Sequence, residues 1–230
     1  MVNNLTVSVV IPCYNEAPRI LNVVTVVSGS TFIDEAFVVN DGSSDGTDAV
    51  LNQIKSDKIS VLAHPKNLGK SASLKTGLLA SSGDLIMFID SDLKNLKPHH
   101  LLKMLEPLAY GNYDVALGDR EFEAFYNKMI GYSIAFSGER VFHRLDLLKH
   151  LNLFKVKGYN IEASLNHYYF SKSRVVKVKL EGVGQTPKDE KYGVKGVFDD
   201  NKMIQQQIKF LGLDEFLNQI MAALNLPVYP

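Results

Sequence analysis

The first half of the chain alternates short apolar runs with stretches of helical spacing. Val7–Ile11, Glu35–Val39, Ile59–Ala63, Leu85–Ile89 and Val115–Leu117 are strand-sized and rich in β-branched and large apolar residues. Between them, Pro18–Val27, Thr47–Lys55, Ser71–Ser81 and Pro98–Ala109 read as helices. Pro98 suits a first helical turn, where its missing N–H costs nothing. The run Leu85-Ile86-Met87-Phe88-Ile89 does not alternate between apolar and polar. An unbroken apolar strand must be buried on both faces, which requires helices on both sides of a parallel sheet. The predicted fold class is therefore α/β, a mostly parallel central sheet flanked by helices.

The second half carries a different pattern. Helices are expected near Gly138–His150 and Ile161–Phe170, then a strand at Val175–Leu180. A loop rich in Gly, Lys and Asp spans Glu181–Gly196, and two helices close the chain near Phe198–Phe210 and Asp214–Leu224. Neither a repeat nor a linker interrupts this order, so residues 1–230 are read as a single domain with a helical C-terminal elaboration. Its parts are about 1–120, about 121–197 with the loop, and about 198–230.

Composition narrows the possibilities. The 230 residues hold 25 Lys+Arg and 25 Asp+Glu, a net charge of zero, which argues against a general nucleic-acid binder. Cys13 is the one cysteine, so no intrachain disulfide can form. The N-terminus lacks the charged, apolar and small-residue pattern of a signal peptide, and no apolar run reaches the roughly 18 residues of a membrane span. These features predict a cytoplasmic protein.

Polar residues gather where three of the apolar strands end. The first runs into Pro12-Cys13-Tyr14-Asn15-Glu16, the second into Asn40-Asp41-Gly42-Ser43-Ser44-Asp45-Gly46-Thr47, the fourth into Asp90-Ser91-Asp92. In open parallel sheets, ligands bind outside the carboxyl ends of the strands. Asp90 and Asp92 are spaced by one residue, so in extended backbone they share a face and can converge on one hard cation. Such an ion bridges the phosphates of a nucleoside diphosphate and neutralises a leaving group. The blander reading of the triplet is a solvated turn. Asp45 reads as a helix cap, while Asp41 at the strand end can accept from a nucleobase N–H. Asn67-Leu68-Gly69-Lys70-Ser71 opens a helix where backbone N–H groups and Lys70 suit phosphate. It misses the P-loop pattern, because His64 stands where that pattern needs its first glycine.

Together the stretches "VSVVIPCYNE", "VVNDGSSDGT", "NLGKSASLKTGLLASSGDLIMFIDSD" and "ALGDRE" resemble the family 2 glycosyltransferases of the Rossmann-like GT-A fold. The resemblance covers roughly residues 6–120. It implies an inverting hexosyl transfer from a UDP- or GDP-sugar with Mg2+ or Mn2+. It also implies that Pro12, Tyr14 and Glu16 line the nucleoside pocket and that Asp41 contacts the base. Gly69 and Lys70 then lie near nucleotide and phosphate, and Asp90, Ser91 and Asp92 hold the diphosphate through metal, with Asp92 central to catalysis. The second half is similar to the polyprenyl-phosphate sugar transferases of the dolichol-phosphate mannose synthase type. Gly118-Asp119-Arg120 corresponds to their Gly-Ser-Arg, Ser137-Gly138-Glu139-Arg140 to their Ser-Gly-x-Arg, and Gly158-Tyr159-Asn160-Ile161-Glu162 to their Gly-Tyr-x-x-Glu. Lys94 departs from them, standing where they usually carry Gln. Gln185 is a candidate to approach the metal instead. Soluble relatives such as glucosyl-phosphoglycerate synthases fit the pattern equally.

The expected acceptor is accordingly a polyprenyl phosphate, with a phosphorylated small molecule or a hydroxyl acceptor as the alternative. Arg120 and Arg140 are candidates for bidentate contacts with its phosphate. Lys188, Lys191 and Lys195 lie in a Gly-containing loop that can close over a site, or form a solvated charged loop. Glu162 is a candidate base, a hydroxyl-positioning group, or simply an acidic residue at a helix N-terminus. Phe210, Leu211, Leu213, Phe216, Leu217, Ile220, Met221 and Leu224 form an apolar stripe that packs on the domain or a partner. Its sharper reading is contact with the inner face of a membrane. Two other function classes remain open: a sugar nucleotidyltransferase and a non-catalytic nucleotide-sugar binding module.

Overall fold

The computed structural model describes residues 1–122, 131–158, 160–186 and 194–230. Strands β1 (Val7–Cys13), β2 (Glu35–Asn40), β3 (Ile59–Ala63) and β4 (Leu85–Phe88) alternate with helices α1 (Ile20–Gly29), α2 (Thr47–Leu51) and α3 (Lys70–Ala80). A two-residue strand β5 (Leu93–Lys94) precedes α4 (Pro98–Ala109), and β6 (Val115–Phe122) follows it. The second half adds α5 (Tyr132–Ala135), β7 (Arg140–His143), α6 (Arg144–Lys149), a 3-10 turn (Leu151–Phe154), α7 (Ile161–Lys172), β8 (Val175–Gln185), α8 (Val194–Leu211) and α9 (Leu213–Leu224).

The eight strands among the described residues form one sheet in the order β3-β2-β1-β4-β7-β6-β8-β5. The β1–β2, β1–β4, β2–β3 and β6–β8 pairings are parallel, and β4–β7, β6–β7 and β5–β8 are antiparallel. The mostly parallel sheet expected from the apolar runs is present. Strand order reverses between β1 and β4, the position where open α/β sheets leave a crevice at their carboxyl ends.

The unbroken run in β4 has a direct explanation. Leu85, Met87 and Ile89 point into one core cluster with α1 and α4, while Ile86 and Phe88 point into the other with α3, α6 and α7. Period-two geometry sends alternate residues to opposite faces, and here both faces are covered. Each such buried side chain contributes about 1.5–3 kcal/mol. β3 differs from the other early strands. It is an edge strand in which Ser60, Val61 and Ala63 are exposed.

Two expectations for the second half change. Gly138–His150 is not one helix: Arg140–His143 is a strand, inserted antiparallel between β4 and β6, and only Arg144–Lys149 is helical. The short stretch Arg-Val-Phe-His shows no alternation of its own, so tertiary pairing decides its conformation. The strand expected at Val175–Leu180 runs on to Gln185, which shortens the predicted loop. Lys188 and Lys191 lie outside the described residues, and Lys195 falls in the first turn of α8 with its side chain outside them.

The C-terminal apolar stripe divides into two faces. Phe216 and Ile220 pack on Tyr132, Ile134 and Ala135 of α5, with Leu211 and Leu224 partly buried beside them. Phe210, Leu213, Leu217 and Met221 are exposed. No helix among the described residues is long and apolar enough to cross a membrane.

Helix α3 approaches β1 through Gly77. A Cβ there would overlap Val10 Cγ1. A mid-helix glycine costs roughly 1 kcal/mol relative to alanine, so close approach is what requires it. Gly77→Leu should therefore lower unfolding free energy by about 1–3 kcal/mol, with Gly77→Ala costing less. Urea titration at constant slope measures both. A Gly77→Leu protein as stable as the parent would disprove this account of the contact.

Candidate active site

The site forms where β1, β2 and β4 end. Paired parallel strands bring their carboxyl ends to one rim, so the three polar segments become neighbours. The first two are stitched together. Asn15 donates its N–H to Ser43 Oγ at 2.9 Å, Ser44 donates its N–H to Asn15 Oδ1 at 2.8 Å, and Glu16 donates its N–H to Thr47 Oγ1 at 3.0 Å. Pro12 is buried within β1, Tyr14 is exposed at the rim, and the buried Glu16 carboxylate holds Arg19 Nε at 2.5 Å. Asp45 caps its own turn by accepting from the Thr47 N–H at 3.0 Å, as its turn chemistry suggests.

Asp41 is buried and already holds three donors. Its oxygens accept the N–H groups of Leu68 at 2.9 Å and Gly69 at 2.7 Å, and His64 Nδ1 lies at 2.7 Å. The second nitrogen of His64 meets Thr76 Oγ1 at 2.9 Å on α3. Asp41 thus fixes the entry to α3, and the Gly69 N–H that suited a phosphate is committed to it. His64, which breaks the P-loop pattern, is the residue that ties this loop to the helix.

At the end of β4, Asp90 and Asp92 converge as their spacing predicts. Gln185 Nε2 lies 2.9 Å from Asp92 Oδ1 and 3.4 Å from Asp90 Oδ2. Gln185 reaches them because β5 pairs with β8, setting Gln185 opposite Leu93. Thr186 reinforces this by donating its N–H and hydroxyl to the Asp92 carbonyl, each at 3.2 Å. Ser91 and Asp92 are buried, while Lys94 points to the exterior. Among the described residues no third His, Cys, Asp or Glu completes a metal cluster with the two aspartates. Two carboxylates and an amide able to present its oxygen are nevertheless the hard-oxygen donors that Mg2+ and Mn2+ take.

Lys70 binds this group to the second half of the chain. Its Nζ lies 2.6 Å from Asp90 Oδ1 and 2.7 Å from Glu162 Oε1, in the first turn of α7. Burial opposes the ammonium charge, but the Asp90 and Glu162 carboxylates outweigh it and hold Lys70 above its ordinary pKa. Lys70 is therefore an internal counter-ion before it is a ligand for anything else.

The segment Ser137-Gly138-Glu139-Arg140 lies behind Asp90. A Cβ on Gly138 would overlap both Asp90 carboxylate oxygens, so only glycine lets the backbone pass. Arg140 is almost completely buried. It donates from Nε to the Ser137 carbonyl at 2.7 Å, from Nη1 to Asn166 Oδ1 at 2.7 Å and from Nη2 to the Ala135 carbonyl at 2.9 Å. Burial pushes its guanidinium down to about 10 against the pull of Glu162, Glu139 and Asp90. Each of the three nitrogens of Arg140 thus gives one N–H to the fold, so this arginine ties Ser137, Ala135 and Asn166 together. Arg120, on β6, donates from Nη1 to Glu139 Oε2 at 2.6 Å.

Sequence reasoning did not single out Glu139, His64 or Asn166. Glu139 and Asn166 sat within helical readings, and the strand that aims Glu139 at Arg120 had no signal of its own. His64 was noticed only as a missing glycine.

A family model described as glycosyl transferase family 2 matches residues 8–179. Glycosyltransferase AglD of Haloferax volcanii is 30% identical over 204 residues, which are 80% of this chain and 32% of AglD. Dolichyl-phosphate beta-glucosyltransferase ALG5C of Trichomonas vaginalis is 38% identical over 94 residues, 36% of this chain and 28% of that protein. The chain thus spans about a third of the length of these curated relatives. The glucosyl-3-phosphoglycerate synthase of Mycobacterium tuberculosis, solved with Mn2+, UDP-glucose and phosphoglyceric acid, superposes with a TM-score of 0.71 at 22% identity. That match covers 95% of this chain and 80% of the synthase, and it establishes a shared fold.

The bridge made by Lys70 generates a stability prediction. Lys70→Met leaves the buried Glu162 and the partly buried Asp90 without their shared cation and should cost on the order of 2–4 kcal/mol at pH 7. Because the folded pKa of Lys70 is raised, the wild-type contribution is fully present below the unfolded lysine value of about 10.4 and fades only above it. Denaturant titrations at pH 7 and pH 9 should therefore show the same deficit. A deficit below about 0.5 kcal/mol would mean that the bridge is a surface-like pair.

Proposed function

The chain belongs to glycosyl transferase family 2, and from that membership we propose that it is a metal-dependent inverting glycosyltransferase using a UDP- or GDP-sugar. The observation that carries this reading is the convergence of Asp90, Asp92 and Gln185 at the end of the buried strand β4. Asp90, Asp92 and the Gln185 oxygen would hold Mg2+ or Mn2+, which supplies positive charge to the departing nucleoside diphosphate. Pro12, Tyr14, Glu16 and Asp41 would wall the nucleoside. Gly69 and Lys70 would stand beside the diphosphate, with Lys70 keeping Asp90 in place.

We assign the acceptor to the phosphorylated class, and polyprenyl phosphate is our first choice. Inversion is a direct displacement, in which a hydroxyl acceptor needs a base to take its proton. Glu162 is the acidic candidate, yet its carboxylate is committed to Lys70 at 2.7 Å. A phosphate oxygen is already anionic at neutral pH and needs a cation to orient it rather than a base. Arg120 on β6 is that cation. The dolichyl-phosphate transferase among the relatives supports the lipid form. The likeness to a synthase solved with phosphoglyceric acid supports a second reading, a small phosphorylated acceptor.

Thermal-shift titration with UDP- and GDP-sugars, each with and without Mn2+, tests the donor. At 100-fold excess over Kd a true donor adds about 2.7 kcal/mol and raises Tm by roughly 5–10 °C, only with metal present. Transfer to polyprenyl phosphate or 3-phosphoglycerate then identifies the acceptor. Asp92→Ala should abolish metal-dependent turnover, and full turnover in that variant would sink the mechanism. Pyrophosphate release from a nucleoside triphosphate would instead mark a nucleotidyltransferase. Saturable binding without transfer to any acceptor would mark a binding module.

A further inference from the structure

Glu139 is fully buried in the shell behind Asp90. Its Oε2 accepts from Arg120 Nη1 at 2.6 Å and from Ser137 Oγ at 2.8 Å. Its Oε1 is buried and meets no hydrogen-bond donor among the described residues. The strand pair is shaped around this side chain. A Cβ on Gly118 would lie 2.8 Å from the Glu139 Cβ, so Gly118 leaves the room in which Glu139 reaches Arg120.

As a device for stability this arrangement is poor. A buried ion pair gains little over well-packed apolar residues of similar volume, and an unpartnered carboxylate oxygen adds a desolvation cost. Burial and the nearby Asp90 both push the Glu139 carboxyl up, while Arg120 and Ser137 pull it down. Two bonded atoms at Oε2, by contrast, define a direction for the Arg120 guanidinium. Ser137 fixes the carboxylate, and the carboxylate fixes the arginine. Arg120 pairs with Leu180 of β8 just before the register of β6 becomes irregular between Arg120 and Phe122.

We propose that Glu139 is a positioning residue that holds the Arg120 guanidinium at the orientation in which it receives the phosphate of the acceptor. The inference rests on the assignment of Arg120 to the acceptor made above. It assigns Glu139 no contact with the reacting atoms. Its effect passes through Arg120, so losing Glu139 should weaken acceptor use and spare the donor.

Steady-state kinetics and side-chain NMR of the full chain test this together. Glu139→Ala should raise acceptor KM by at least about tenfold, the scale of one charge-assisted hydrogen bond, with donor KM within about twofold. Glu139→Gln keeps an oxygen for Arg120 and should recover most of that loss. Arg120→Ala should be as impaired as the Arg120→Ala/Glu139→Ala double variant, because the two residues act as a unit. The Arg120 Nε–H resonance, identified by its disappearance in Arg120→Lys, should be sharp in the parent and in Glu139→Gln. It should broaden or shift in Glu139→Ala. An unchanged resonance in Glu139→Ala, additive losses in the cycle, or equal changes in donor and acceptor KM would overturn the proposal. If Glu139→Ala does not fold, Glu139→Leu replaces it with matched volume and the same expected signs. The resonance needs no turnover, so a chain that transfers no sugar refutes the proposed function and still leaves the positioning claim tested.

Discussion

The arrangement of the site depends on one contact, the Lys70 ammonium shared between Asp90 and Glu162 at 2.6 and 2.7 Å. Asp90 comes from the end of a strand in the first half, and Glu162 from the first turn of a helix in the second. Lys70 begins α3, whose own entry is fixed by Asp41 through the N–H groups of Leu68 and Gly69. The three polar strand ends are therefore linked by bonding as well as proximity. Asp41 sets the helix start, the helix start sets Lys70, and Lys70 sets the two carboxylates. A carboxylate left alone in such a shielded place would cost several kcal/mol.

How much of this was legible follows from where the signal is local. The run Leu85-Ile86-Met87-Phe88-Ile89 stated its own environment, because no polar residue could sit on either face. Asp90 and Asp92 were legible for the same reason, as carboxylates at the end of a strand whose direction was already known. Gln185 stands in the sequence only as one polar residue of a loop. What places it is the β5–β8 pairing, a contact between residues more than ninety positions apart. The strand Arg140–His143 falls inside a segment of helical spacing, since its four residues have no period and its conformation is set by the two strands on either side. Glu139 was lost with it. Facing direction depends on backbone conformation, so an error of element type hides the partners of every residue inside it.

The arginines and Lys70 illustrate a further limit. From sequence, Lys70, Arg120 and Arg140 count as hands for phosphate, since cations near a predicted anion site invite that reading. In the folded chain Lys70 balances two carboxylates, and Arg140 spends Nε, Nη1 and Nη2 on Ser137, Asn166 and Ala135. Residue type gives charge, but only the donor inventory of the folded site shows where that charge is used. Arg140 still contributes its field, because the pull of Glu162, Glu139 and Asp90 on it is mutual.

The charge balance around Asp90 gives a reason why such a site would need a divalent cation. Asp90, Asp92, Glu139 and Glu162 lie in one shielded region with Lys70, Arg120 and Arg140 as their counter-ions. Among the described residues, four carboxylates against three cations leave no positive excess to attract a diphosphate. Even with Glu139 protonated, the direction in which burial pushes it, the group is no more than balanced. A nucleoside diphosphate brings more negative charge to the same place, where the low dielectric strengthens repulsion as well as attraction. The two extra positive charges of a metal ion, met by oxygens already converged on Gln185, reverse that balance. Metal dependence in this chain would then follow from how far Lys70 and Arg140 are already used to hold the site together.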